Sequence, residues 1–164
     1  MLKKKMEKAL NDQVNMELES AYLYLSMSVD FAAKNLNGAA AWMRMQAQEE
    51  VGHGLKIQNY ILERGGTATL QAISAPQATW KTPLAAFQDA YLHEQKVTAS
   101  IDKLVNLAVV EKDHATQAML QWFVTEQVEE EASVDEVVQM LKMVGANTNG
   151  LFMIDRQLAA RGAA

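Results

Sequence analysis

Glu50 and His53 stand three residues apart in the segment Glu49-Glu50-Val51-Gly52-His53-Gly54. On a helix this spacing puts a carboxylate and an imidazole on one face, where both can bind a single transition-metal ion. Glu17, Glu94 and the pair Gln127-x-x-Glu130 are further metal-capable side chains that fall on apolar stripes of the chain. A single glutamate on such a stripe usually carries its charge to solvent past an apolar stem. Four of them at matching depth are harder to dismiss in that way, and carboxylates gathered without cations repel one another and lose hydration. Something positive must sit between them. Glu17, Glu50, Glu94 and Glu130 carry four negative charges, which two divalent ions would neutralise, as would two ferric ions with an oxo bridge. A carboxylate-rich set with one imidazole suits iron or manganese better than copper or a closed structural zinc site. The reading is a di-iron site.

Positioning these groups requires long helices. Apolar residues recur at three and four, and β-branched residues are scattered among good helix formers. A first helix is predicted from about 5 to 34, with Leu10, Val14, Ala21, Tyr24 and Phe31 on the stripe that holds Glu17. A second spans about 38 to 64, ending at Gly65-Gly66, with Trp42, Met43, Ile57 and Ile61 beside Glu50 and His53. The third starts at Thr82-Pro83, a cap residue followed by proline at the first helical position, and its stripe of Phe87, Tyr91, Ile101 and Leu104 contains Glu94. The fourth covers about 113 to 144, its stripe of Leu120, Phe123, Val134 and Leu141 interrupted by Gln127 and Glu130. Helices of roughly 27 to 32 residues are about 40 to 48 Å long. Both prolines and a Thr/Ser/Ala/Gln-rich stretch fall in 65–82, long enough to climb a bundle of that length. The expected fold is all-α: a single domain over 1–164, with a four-helix bundle at about 5–144, one long crossover at 65–82 and a short C-terminal fifth helix at about 148–160.

Composition narrows the function classes. The 164 residues are 49% hydrophobic and 21% charged, a balance that supports a core and argues against disorder. No apolar run approaches the roughly 18 to 20 residues of a membrane span, so no membrane partner is expected. Lys+Arg 15 against Asp+Glu 20 gives a charge of −5, which offers nucleic acid no broad basic surface. The basic start, Lys3, Lys4, Lys5 and Lys8, meets Asn11, Asp12, Gln13 and Asn15 before an apolar signal region forms. A cytoplasmic location is expected. With no cysteine, thiolate sites and cysteine nucleophiles are excluded, and any metal must take oxygen and nitrogen ligands.

The residues resemble bacterial non-haem ferritin along essentially the whole chain. The resemblance rests on Asn15-Met16-Glu17-Leu18-Glu19, Glu49-Glu50-Val51-Gly52-His53-Gly54, Tyr91-Leu92-His93-Glu94 and Thr125-Glu126-Gln127-Val128-Glu129-Glu130-Glu131. It implies that Glu17, Glu50 and His53 hold a first iron, and that Glu50 bridges to a second held by Glu94 and Glu130, with Gln127 behind them. It further implies a third iron at Glu49, Glu126, Glu129 and Glu130, and Tyr24 and Trp122 as aromatic residues flanking the centre. Glu126, Glu129 and Glu130 share a helical face by spacing alone, although an acidic edge is also an ordinary solvated surface. The resemblance implies ferroxidase activity on Fe(II) with O2 or H2O2, ferric mineral storage, and a homo-oligomeric cage of 24 subunits. In that cage Leu151 to Leu158 would meet symmetry mates; the alternative is a helix folded on its own bundle.

Departures separate relatives. Gly52 stands where bacterioferritins carry the haem-ligating methionine, and the fourth helix has Gln127-x-x-Glu130 in place of a second Glu-x-x-His, so haem is not expected. The ten methionines are scattered and read as packing residues. His93 points about 100° away from Glu94, and His114 lies at the turn before the fourth helix; both read as incidental. Competing readings are a di-iron oxidase acting on an organic substrate, a helical interaction protein, and DNA binding through Lys3 to Lys8.

Overall fold

The computed structural model describes residues 1–161. Its elements are α1 (Lys4–Ala33), α2 (Asn37–Glu63), α3 (Pro83–Val110), α4 (His114–Val144) and α5 (Thr148–Arg161). The fold is all-α, and the helix limits agree with the periodicity to within two residues. Asn35 and Gly65 adopt positive φ directly after α1 and α2, and Gly145 does so after α4, which reverses the chain where the helical hydrogen bonds run out. Thr82 caps α3 by accepting from Ala85 N at 3.1 Å, with Pro83 in the first turn. Asp113 caps α4 through Thr116 N.

α1 packs on α2 and α3 on α4, each an antiparallel hairpin, while α1 also meets α3 and α2 meets α5. The burial pattern shows why the bundle holds a site at its middle. One apolar cluster contains Met27, Phe31, Trp42, Met43, Phe87 and Val134; a second contains Met6, Leu10, Ile57, Ile101, Leu120 and Phe123. On every bundle helix a few buried polar residues separate the two, including Glu17 and Ser20 on α1, Glu50 and His53 on α2, Glu94 on α3, and Gln127 and Glu130 on α4. Apolar burial at both ends stabilises the bundle and holds the polar band between them.

Because α2 and α3 run in the same direction, the chain between them must return along the bundle. Its path is fixed to α1: Asn11 Nδ2 donates to Thr67 O, Ser26 Oγ to Gln77 O, and Asp30 Oδ2 accepts from Trp80 N. Such bonds satisfy backbone groups that a long connection would otherwise leave unpaired.

α5 folds back on its own bundle. Ile154 and Leu158 join the cluster around Trp42 and Phe87, and Asp155 Oδ1 accepts from Ala39 N at 2.8 Å in the first turn of α2. Negative charge is favourable at that helix end. Phe152 and Met153 stay exposed on the opposite side, so one face of α5 is used internally and the other is free to meet another surface.

Candidate metal centre

Every residue of the proposed iron pair lies within the polar band and is buried, with Glu17 and Glu50 each 1% exposed and Glu94 0%. Glu17, Glu50 and His53 present ligand atoms within 4.8 Å of one another, and so do Glu50, Glu94 and Glu130. Glu50 belongs to both groups, as a bridging carboxylate requires. His53 Nδ1 lies 3.1 Å from Glu50 Oε2, one turn along α2. Oxygens Glu17 Oε2 and Glu50 Oε1 are buried without a hydrogen-bond partner. Buried carboxylate oxygens are rarely left so, and a cation between them would satisfy both. The donor set therefore fits a pair of iron ions.

Electrostatics point the same way. Burial pushes the Glu17 carboxyl up to about 8, with the Glu50 charge adding to it and the Gln13 hydrogen bond opposing. Burial, then the Glu94 charge, lifts Glu130 to about 7 against a hydrogen bond from Gln46. Glu50 is raised well above the carboxylate range by burial and by Glu94 and Glu130. Burial also raises Glu94, opposed by hydrogen bonds from Tyr24 and Gln127. Burial and mutual repulsion both favour the protonated form of these carboxyls, and a divalent cation between them would reverse both causes.

Four hydrogen-bond donors orient the carboxylates. Tyr24 Oη donates to Glu94 Oε1, and Gln127 Nε2 donates to Glu94 Oε2 at 3.2 Å. Gln13 Nε2 donates to Glu17 Oε1 at 2.9 Å, while Ser100 Oγ donates to Gln13 Oε1 at 2.5 Å. Gln46 Nε2 donates to Glu130 Oε2 at 2.6 Å. Gln13 and Gln46 escaped the motif reading. Each lies four residues before a ligand carboxylate on the same stripe, a spacing that could have marked them.

The acidic edge beside these groups is less closed. His53, Glu126 and Glu130 form a ligand group, with His53 Nε2 3.8 Å from Glu126 Oε1. Glu49 and Glu129 are exposed and belong to none of the groups found among the described residues. Glu49 is instead paired with Arg161 at 3.0 Å. Trp122 stands edge-on to His53 with ring centroids 5.4 Å apart, and Lys56 Nζ lies 3.7 Å over its ring. His93 turns to α1, its Nε2 2.6 Å from Ser20 Oγ.

The ferritin-like domain family matches residues 7–144. The chain belongs to the ferritin family. It is 43% identical over 161 residues to the bacterial non-heme ferritin of Bacteroides fragilis, covering 98% of this chain and 100% of that one. The bacterial non-heme ferritin of Campylobacter jejuni is 39% identical, covering 96% of this chain and 95% of that relative. Among solved structures, the open pore ferritin of the hyperthermophilic archaeon Archaeoglobus fulgidus superimposes with a TM-score of 0.96 at 46% identity, over 97% of this chain and 98% of that one. Iron storage is the function that goes with this family. Among the described residues no helix is long and apolar enough to cross a membrane.

Proposed function

We propose that this ferritin oxidises Fe(II) to Fe(III) at a di-iron ferroxidase centre inside each bundle and stores the ferric product as mineral within a cage of 24 subunits. The observation that supports it most is the pair of ligand groups sharing Glu50, with buried carboxylate oxygens that lack any other partner. Glu17, Glu50 and His53 would hold one Fe(II), and Glu50, Glu94 and Glu130 the other. Two Fe(II) give one electron each, which takes dioxygen with two protons to hydrogen peroxide, or peroxide with two protons to water.

The chain's part is to hold and orient. Four carboxylates favour the ferric product over the ferrous substrate because their charge is fixed in a water-poor band. Tyr24 and Gln127 keep Glu94 aimed at the second ion, Gln46 does the same for Glu130, and Gln13 keeps Glu17 aimed at the first. Carboxyl protons leave as cations enter. Glu49, Glu126, Glu129 and Glu130 are proposed as the third iron position. Cytoplasmic iron in a cell would be the substrate.

Aerobic Fe(II) titration tests this. A fast ferric absorbance should saturate at a few ions per chain, followed by slower uptake far beyond that ratio, and Glu50→Ala should abolish the fast phase. An intact fast phase in that variant would sink the assigned centre. Light scattering that finds only monomers or dimers would remove the storage reading and leave the oxidase.

A further inference from the structure

Arg161 in the last turn of α5 reaches the edge of the iron band. Its Nη2 donates to Glu49 Oε2 at 3.0 Å, and its guanidinium carbon lies 4.7 Å from the Trp42 ring centroid. Arg161 Nη1 is buried with no hydrogen-bond partner, so the pair with Glu49 and the stack on Trp42 are what hold this side chain. The helix beneath is anchored at several points. Ile154 and Leu158 are buried, Asp155 bonds Ala39 N, and α5 lies so close to α2 that a Cβ on Gly38 would come 1.7 Å from Asp155 O. Arg161 is thus presented to Glu49 from a docked helix rather than a loose tail.

Glu49 adjoins Glu50 in sequence, and its charge acts on both Glu50 and Glu130. His53, Glu126 and Glu130 already converge. Glu49 is absent from that convergence while its carboxylate is turned to the guanidinium. Swinging the Glu49 carboxylate to a cation beside Glu126 and Glu130 breaks its bond to Arg161, whose own positive charge opposes the approach.

We infer that Arg161 is a positioning residue that withholds Glu49 from the third iron position, so that occupancy of this position is in competition with the ion pair tethering α5. The inference rests on the di-iron reading above and adds to it a control on the third ion by a residue outside the bundle. The Arg161 and Glu49 side chains are 30% and 42% exposed, which makes the competition modest. Removing it should tighten the third ion by about three- to tenfold, the range of a part-exposed ion pair with a cation–π contact.

Anaerobic Fe(II) calorimetry on the assembled protein separates the two ideas. Wild type should bind two ions tightly and a third more weakly. Arg161→Gln should tighten only the third, and Arg161→Lys should return it toward wild type, which a purely structural role for the side chain would not do. In a Glu49→Gln background, Arg161→Gln should have no further effect. An unchanged or weakened third ion in Arg161→Gln, or an equal tightening in the Glu49→Gln background, overturns the inference while the two tight ions uphold the centre. Loss of the two tight ions from wild type would overturn the di-iron reading and this inference with it.

Discussion

The Gln46 amide on α2 donates across the bundle to Glu130 Oε2 on α4 at 2.6 Å. This bond opposes the burial that lifts Glu130 to about 7. Gln46→Leu keeps the volume and removes the donor, so the Glu130 carboxyl should rise further. A net hydrogen bond of about 1 to 1.5 kcal/mol corresponds to roughly one pKa unit. The acid limb of the fast ferric phase should move up in pH by about that much; an unmoved limb would show that Glu130 does not control it.

The metal-free protein should lose stability as pH rises. Glu17 is raised from an ordinary 4.5 to about 8 and Glu130 to about 7, so the folded chain holds protons that the unfolded chain releases. The stabilisation from these protons is complete below about 4.5 and is lost as pH climbs through 7 and 8. Glu17→Gln, which mimics the protonated state, should therefore stabilise the metal-free protein at pH 8.5 and be near neutral at pH 4.5. Denaturant melts at the two pH values check the sign, and Fe(II) added without oxygen should reverse it at the higher pH.

Tyr24→Phe should slow iron oxidation by about tenfold without unfolding the bundle, since loss of a group that orients a ligand typically costs 10- to 100-fold in affinity or activity. The ring fills a site that is 0% exposed, and phenylalanine retains nearly all of that packing. What is lost is the donor to Glu94. Stopped-flow absorbance with parallel anaerobic binding would place the defect at the ion held by Glu94; a rate equal to wild type would mean the Tyr24 hydroxyl only packs.

Gly38→Ala should displace α5. The added Cβ would stand 1.7 Å from Asp155 O, a backbone atom that cannot swing aside. Overpacking of this kind costs about 1 to 3 kcal/mol, and undocking α5 is the available relief. Protease cleavage near the 145–148 turn should accelerate, with the bundle itself intact by circular dichroism.

Much of the candidate site was legible because helical periodicity is local. Glu17, Glu50, His53, Glu94, Gln127 and Glu130 could be placed on buried stripes by counting threes and fours, and the turn residues Asn35, Gly65-Gly66 and Gly145 marked where three of the four stripes end. Charge arithmetic then required cations among them. The crossover was legible from its prolines and length, but its attachment to Asn11, Ser26 and Asp30 was not, because polar residues on the outer side of a helix carry no sign of what will cover them.

The helices, the depth of each carboxylate along them and the family resemblance all follow from short-range spacing and residue type. Long-range packing selects which amides cross the bundle to meet those carboxylates, docks α5 on α2 through Asp155 and gives Glu49 to Arg161. Those outcomes depend on the relative height and rotation of helices far apart in the chain, where a shift of one turn, about 5.4 Å, would exchange every partner.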